Sequence, residues 1–133
     1  MQWKTSNTAT ANTTSTWDGK ANTWSMVNPT AGLMNDHPAA RACFQKNRDY
    51  NGITTDTDPN YVWYLPAQDQ LLAIWCAHPS FDAAYRFTLS VSGYWVSTGG
   101  PAATAAWMVD FREGRSRNVT KLSAAYVRCV MEL

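Results

Sequence analysis

His37 and His78 are the side chains here with ordinary general-base chemistry, and each stands directly before a proline. A catalytic histidine needs a nucleophile to deprotonate and a third group to orient it. Neither has a Ser or Cys nucleophile motif nearby, and the chain contains no HExxH helix, Gly-rich phosphate loop or paired-carboxylate motif. A His-Pro step at a helix boundary caps or packs, so no catalytic residue is expected and the chain reads as a non-enzyme. The loop carrying Asp49, Asn51, Asp56 and Asp58 offers hard oxygen ligands of the kind calcium takes. Its spacing departs from an EF-hand, because Gly52 comes too early and Thr54-Thr55 interrupts the run. A solvated acidic turn is expected, with no metal or other cofactor; a degenerate calcium loop is the alternative.

Recognition chemistry is richer near the C-terminus. Over Ala105 to Arg112 the residues alternate as in a strand, with Ala105, Trp107, Val109 and Phe111 on one face and Ala106, Met108, Asp110 and Arg112 on the other. The first set is bulky and apolar and is expected in the core, at about 2 kcal/mol or more per large side chain. Met108, Asp110 and Arg112 are then expected to face out, where their identity is free to serve binding. The same logic assigns Val96, Thr98, Gly99, Thr104, Ala106, Arg115, Arg117, Asn118, Leu122 and Ala124 to one candidate ligand-binding surface. Arg donors, an Asp acceptor and flat apolar contacts from Met and Leu suit a glycan or a protein epitope. Trp95, Trp107 and Tyr126 invite a sugar-stacking reading, but aromatics in a small β domain are usually core and are expected there.

Such a surface needs a frame. A chain of 133 residues fits one domain and can bury about two-thirds of its unfolded surface without a metal. With 16% charged and 13% aromatic residues it suits a β-rich globular fold rather than disorder. The net charge is +1, and the loose basic group Arg112, Arg115, Arg117 and Lys121 is broken by Glu113. Nucleic acid would call for a denser stripe, so no such partner is expected. No stretch reaches the ~20 apolar residues of a membrane span.

Two helices are expected. The first runs over His37 to Phe44, with Asp36 as N-cap and Pro38 in the first turn. The second runs over Ala67 to His78, its apolar stripe made by Leu71, Leu72, Trp75 and Cys76 and its end by His78-Pro79. Strands are expected at Tyr61 to Leu65, Tyr94 to Thr98, Ala105 to Arg112, Arg115 to Thr120 and Ala125 to Met131, with a hairpin turn at Glu113-Gly114. The Thr/Asn/Ser-rich start reads as a flexible polar linker over 1–16 leading out of a longer chain, with the domain over 17–133 and Trp17 and Trp24 packed back onto it. Cys43, Cys76 and Cys129 have no CxxC spacing. One disulfide plus a thiol, or three reduced core cysteines, both remain open from spacing alone.

Four ordered segments carry a resemblance. Trp63-Tyr64-Leu65-Pro66-Ala67, Tyr94-Trp95-Val96-Ser97-Thr98, Ala106 to Gly114 and Tyr126-Val127-Arg128-Cys129-Val130 together resemble the Lcl C-terminal and FISUMP-type domains, over roughly Pro38 to Leu133. The resemblance implies an α+β, C-type-lectin-like fold, with two helices packed on a small, mainly antiparallel twisted sheet. Ala42 to Gly52, leading into Trp63-Tyr64-Leu65-Pro66, is similar to the version at the C-terminus of Bacteroidales pilus tip adhesins. That implies an extracellular binding domain at a cell surface or pilus tip, joined to pilus subunits through an N-terminal part. Diversity-generating retroelement variable proteins end in the same fold, with altered codons clustered between fixed scaffold residues. The candidate surface, Val96 to Ala124, lies in the corresponding place. The export so implied favours a Cys43–Cys129 disulfide, with Cys76 as a core thiol. The Glu-Pro-Asn type of calcium-sugar motif is missing, and the cysteine-oxidising chemistry of some enzymes with this fold has no counterpart residues. A phage receptor-binding or assembly domain is the alternative reading.

Overall fold

The computed structural model describes residues 1–30, 32–77 and 93–132. Among them are three helices, α1 (Gly19–Val27), α2 (Pro38–Phe44) and α3 (Gln68–Ala77), and five strands, β1 (Trp63–Tyr64), β2 (Tyr94–Gly99), β3 (Ala105–Asp110), β4 (Arg115–Thr120) and β5 (Val130–Met131). The chain is α+β. Strands β2-β3-β4 form one antiparallel sheet and β1-β5 a second, two-stranded one.

Helix α1 was not expected. Asp18 caps it by accepting from the Ala21 N–H at 2.9 Å, and Asn28-Pro29 ends it. Its buried residues include Asn22 and Thr23 beside Met26 and Val27, so it lacks a clear apolar stripe. Thr23 Oγ1 both donates to the Leu65 carbonyl and accepts from the Leu65 N–H, which fixes α1 to the segment after β1. Gly19 is required there, since a Cβ would meet Ala67 N at 2.5 Å and Leu65 O at 2.7 Å.

Helix α2 begins on Pro38, but the cap differs from expectation. Asp36 closes a short 3-10 turn, and His37 holds the cap position with no capping bond from its side chain. The His37 ring is fully buried instead. Its Nδ1 lies 2.8 Å from the Leu33 carbonyl and its Nε2 2.8 Å from Thr10 Oγ1. A carbonyl only accepts, so Nδ1 carries the proton and Nε2 accepts from the Thr10 hydroxyl. In α3, Leu71 is buried, but Cys76 is exposed and is not the core thiol expected. The expected stop at His78-Pro79 lies outside the described residues.

The β strands are shorter at the chain's edges than expected. Only Trp63–Tyr64 of the first forms ladder pairs, with Met131 and Val130. The last segment meets the sheet through a single parallel bridge, Tyr94 to Tyr126, before β5. The β3–β4 hairpin forms where it was expected, but β3 ends at Asp110 and not at Arg112, and the turn takes in 111–114, with Gly114 at φ +69°.

Residue parity along the three-stranded sheet separates two apolar clusters. Trp95, Ala106 and Met108 face a cluster with Trp3, Met26, Ala40, Phe44 and Tyr61. Tyr94, Val96, Val109 and Phe111 face the other way, onto Leu71 with Leu72, Trp75 and Trp107 at its margin. Both faces of the sheet are covered, one by α3 and one by the N-terminal half of the chain.

The first sixteen residues are part of this packing and not a free linker. Trp3 is fully buried, donates Nε1–H to the Val96 carbonyl at 2.7 Å, and its backbone N–H bonds the Lys121 carbonyl at 3.1 Å. The Met1 carbonyl accepts from Trp95 Nε1 and from the Ala125 N–H. Trp24 packs on Phe44 and Tyr61 as expected, whereas Trp17 is 70% exposed. A disulfide joins Cys43 of α2 to Cys129, with Cα atoms 5.2 Å apart. Among the described residues no helix is long and apolar enough to cross a membrane.

Candidate functional site

The expected recognition surface divides in two. Val96, Thr98, Ala106, Met108 and Asp110 are buried, each at 5% exposure or less, and Gly99 is partly buried. The alternation was read as core against solvent, and that fails because α3 covers one face and the Trp3 cluster the other. Trp95 is core and Trp107 is half-buried, but Tyr126 is 58% exposed and not the core residue expected. Thr104, Arg112, Arg115, Arg117, Asn118, Leu122 and Ala124 are exposed. They sit on edge strand β4 and the segments that flank it, apart from Thr104, which lies in the β2–β3 connection. Charged side chains on such a strand also discourage pairing with another sheet edge.

The turn end of the β3–β4 hairpin is the most organised part of this surface. Asp110 opposes Arg115 across the ladder, and Met108 opposes Arg117. Cross-strand partners share a face, so Arg117 reaches diagonally to Asp110, with Nη1 3.2 Å from Oδ2. The Arg112 N–H donates to Asp110 Oδ1 at 2.9 Å, and its guanidinium stands 4.0 Å from the same oxygen. Arg115 pairs with Glu113 at 2.5 Å. Gly114 sits under the Trp75 ring, where a Cβ would collide, and Trp75 Nε1 donates to the Phe111 carbonyl at 2.8 Å. One turn is thereby held from both sides.

The electrostatics follow from burial. The Asp110 side chain is only 2% exposed. Burial alone would raise its pKa, but the Arg112 N–H, the Arg117 guanidinium, the Glu113 N–H and the Arg112 charge outweigh that and hold it below the usual carboxylate range. Asp110 is ionised at neutral pH and acts as an anchor beneath the arginines, not as a ligand-facing acceptor. The three arginine side chains are 42–66% exposed, so they stand at the solvent-facing side of the hairpin. That arrangement suits carboxylate, sulfate or phosphate oxygens.

The acidic loop shows turn chemistry: Asp58 Oδ1 accepts from the Asn60 N–H, and Asp49 takes a left-handed backbone at φ 51°. Among the described residues no group of three or more His, Cys, Asp or Glu is placed to hold a metal. Sequence reasoning passed over Lys4 and read Lys121 only as one of a loose basic group, yet the two are buried at 5% and 2% exposure. Nothing in their spacing marks them, because the contact joins chain segments far apart. No protein-family model, curated protein or solved structure matches this chain.

Proposed function

We propose that this chain is a non-catalytic binding domain of C-type-lectin-like type, acting as an adhesin at a bacterial surface or pilus tip. Its ligand is an acidic group on a glycan or protein, met by Arg112, Arg115 and Arg117. The observation that carries the reading is the buried, ionised Asp110 under exposed arginines. That carboxylate holds Arg112 and Arg117 from below, while Glu113 holds Arg115, and ordered guanidinium groups lower the entropy lost when a ligand binds. Support for export comes from the Cys43–Cys129 disulfide, which suits an oxidising compartment. Support for the family comes from the four ordered segments described above. If the surface is diversified by a retroelement, the tolerant positions are the exposed ones, Arg112, Arg115, Arg117, Asn118, Leu122 and Ala124, since changes at Met108 or Ala106 would disturb the core.

The test compares the parent with an Arg112→Ala/Arg115→Ala/Arg117→Ala variant on arrays of neutral, sialylated and sulfated glycans and on whole bacterial surfaces. Selective binding of acidic ligands by the parent, weakened at least about tenfold in the triple variant, is the expected result. Equal binding by the two proteins, or none by the parent, would overturn the assignment. Sequencing the locus across a source population examines diversification separately: substitutions confined to the exposed positions support it, and an invariant locus counts against it.

A further inference from the structure

Lys4 and Lys121 are the electrostatic anomaly of this fold. Lys4 follows the buried Trp3, and Lys121 follows β4, so their side chains enter the same interior region from the two ends of the described chain. Both ammonium groups donate to one acceptor, the Thr8 carbonyl, at 3.2 and 2.8 Å. Lys4 also donates to the Ala9 carbonyl at 2.9 Å. Two positive charges on one carbonyl oxygen repel each other, and burial strips away the water that would screen them. Among the described residues no carboxylate lies within ion-pairing distance of either.

An ammonium carries three N–H donors. Lys4 places two and Lys121 one on described acceptors, which leaves donor capacity on both. The face of the Trp3 ring, 4.8 Å from Lys121 Nζ, offsets part of the missing counter-charge but accepts no strong hydrogen bond. Lys121 also forms part of the wall of an open cleft of about 220 Å³, together with Ala9, Thr10, Thr13, Gly99 and Pro101. The cleft thus combines a buried cation, threonine residues and a glycine turn, with no acidic residue among the described residues that line it.

We propose that this cleft is an oxyanion-binding site, in which Lys121 receives a sulfate, phosphate or carboxylate group and Lys4, which shares the Thr8 carbonyl with it, adds a second positive charge behind the cleft wall. The anion supplies a counter-charge that the described residues do not place within ion-pairing distance of either lysine, Asp36 acting on Lys4 only from farther off. The site is separate from the arginine face and does not depend on the function proposed for it. Nearby titratable groups define its pH range. Lys121 is pushed down to about 8, by burial first and by Lys4 second. Lys4 is lowered by burial, with Asp36 opposing. Buried His37 is lowered below its ordinary value, so it stays neutral at pH 7 and above. A bound anion favours the charged form of Lys121, so binding draws a proton onto it near pH 8 and weakens as the pH rises further.

The experiment uses the whole chain with sodium sulfate, sodium phosphate and sodium acetate as probes, and sodium chloride at matched ionic strength as control. Thermal midpoint and calorimetric titration are read for the parent, Lys121→Met, Lys4→Met and the triple arginine variant. A saturable rise in midpoint is expected with at least one oxyanion beyond the chloride effect, and the three salts identify which group is preferred. Affinity should fall about tenfold or more in each lysine variant, and the triple arginine variant, which removes the arginine face as a second oxyanion site, should keep the proton-coupled binding of the cleft. Proton uptake at pH 8, read as a dependence of the binding heat on buffer ionisation, is expected in the parent and lost in Lys121→Met. If Lys121→Met fails to fold, Lys4→Met and the proton uptake still decide. Oxyanion effects no larger than chloride, or identical responses in the parent and a folded lysine variant, would overturn the proposal.

Discussion

Replacing Asp110 with Asn tests the reasoning about the hairpin most directly. The side chain is 2% exposed and accepts from the Arg112 N–H at 2.9 Å and from Arg117 at 3.2 Å. A hydrogen bond to a charged group contributes about 1.5–3 kcal/mol. The Arg117 partner is 42% exposed, so that ion pair is screened and counts for about 1 kcal/mol at most. Recovered burial cost of the carboxylate works in the opposite direction. The depressed pKa says that the favourable contacts win. Asp110→Asn should therefore cost about 2 kcal/mol at pH 7, and the midpoint should fall by about 7 °C for a chain of this size. The sign with pH is fixed as well. A carboxylate with a depressed folded pKa stabilises the fold above its unfolded value, near 3.9, and that contribution is lost as pH falls through the folded value. Urea unfolding followed by tryptophan fluorescence should show a gap between parent and variant at pH 7 that closes from about pH 4 downward. Arg117→Gln should stay within about 1 kcal/mol. A variant as stable as the parent at pH 7, or a gap unchanged at acid pH, would refute the anchor role.

Three further outcomes are expected. Removing the disulfide with Cys43→Ala/Cys129→Ala releases a loop with a sequence separation of 86. Chain entropy puts the loss at about 4.5 kcal/mol, measurable as a lower urea midpoint and matched by reduction of the parent. Trp3→Ala should cost about 3–5 kcal/mol, since the ring is fully buried and bonded to Val96; a change under 1 kcal/mol would return residues 1–16 to a linker. Gly114→Ala should cost about 1–2 kcal/mol for its left-handed backbone alone. It should also shift the Trp75 ring, seen as altered near-ultraviolet circular dichroism.

What could be read from the sequence was local. Alternation from Ala105 onward and the Glu113-Gly114 turn placed β3 and β4, and Pro38 placed the start of α2. Which residues share a sheet face was also legible. Whether the second face is covered was not, because period two is blind to what packs above it. Asp110 shows the consequence: a polar residue in an alternating strand looks solvated, yet its partners arrive from Arg117 across the hairpin and from the turn's own backbone. Helix α1 was hidden because two of its five buried positions are Asn22 and Thr23, which form hydrogen bonds in place of an apolar stripe. Trp3 and Lys4 were hidden for a related reason. Their partners lie at Val96 and Lys121, and no local pattern reports a contact across the whole chain.

The docking of Trp3 has a consequence for the newborn chain. Its acceptors, Val96 and Lys121, are synthesised long after it. At about 5–20 residues per second, Trp3 waits roughly 6–24 s before the residue that receives its backbone N–H exists. During that interval a large apolar ring has nowhere native to go. The Thr, Asn and Ser residues around it keep the waiting segment hydrated and poor in sticky neighbours. The composition that resembles a tether thus suits a ring whose acceptors come late in the chain.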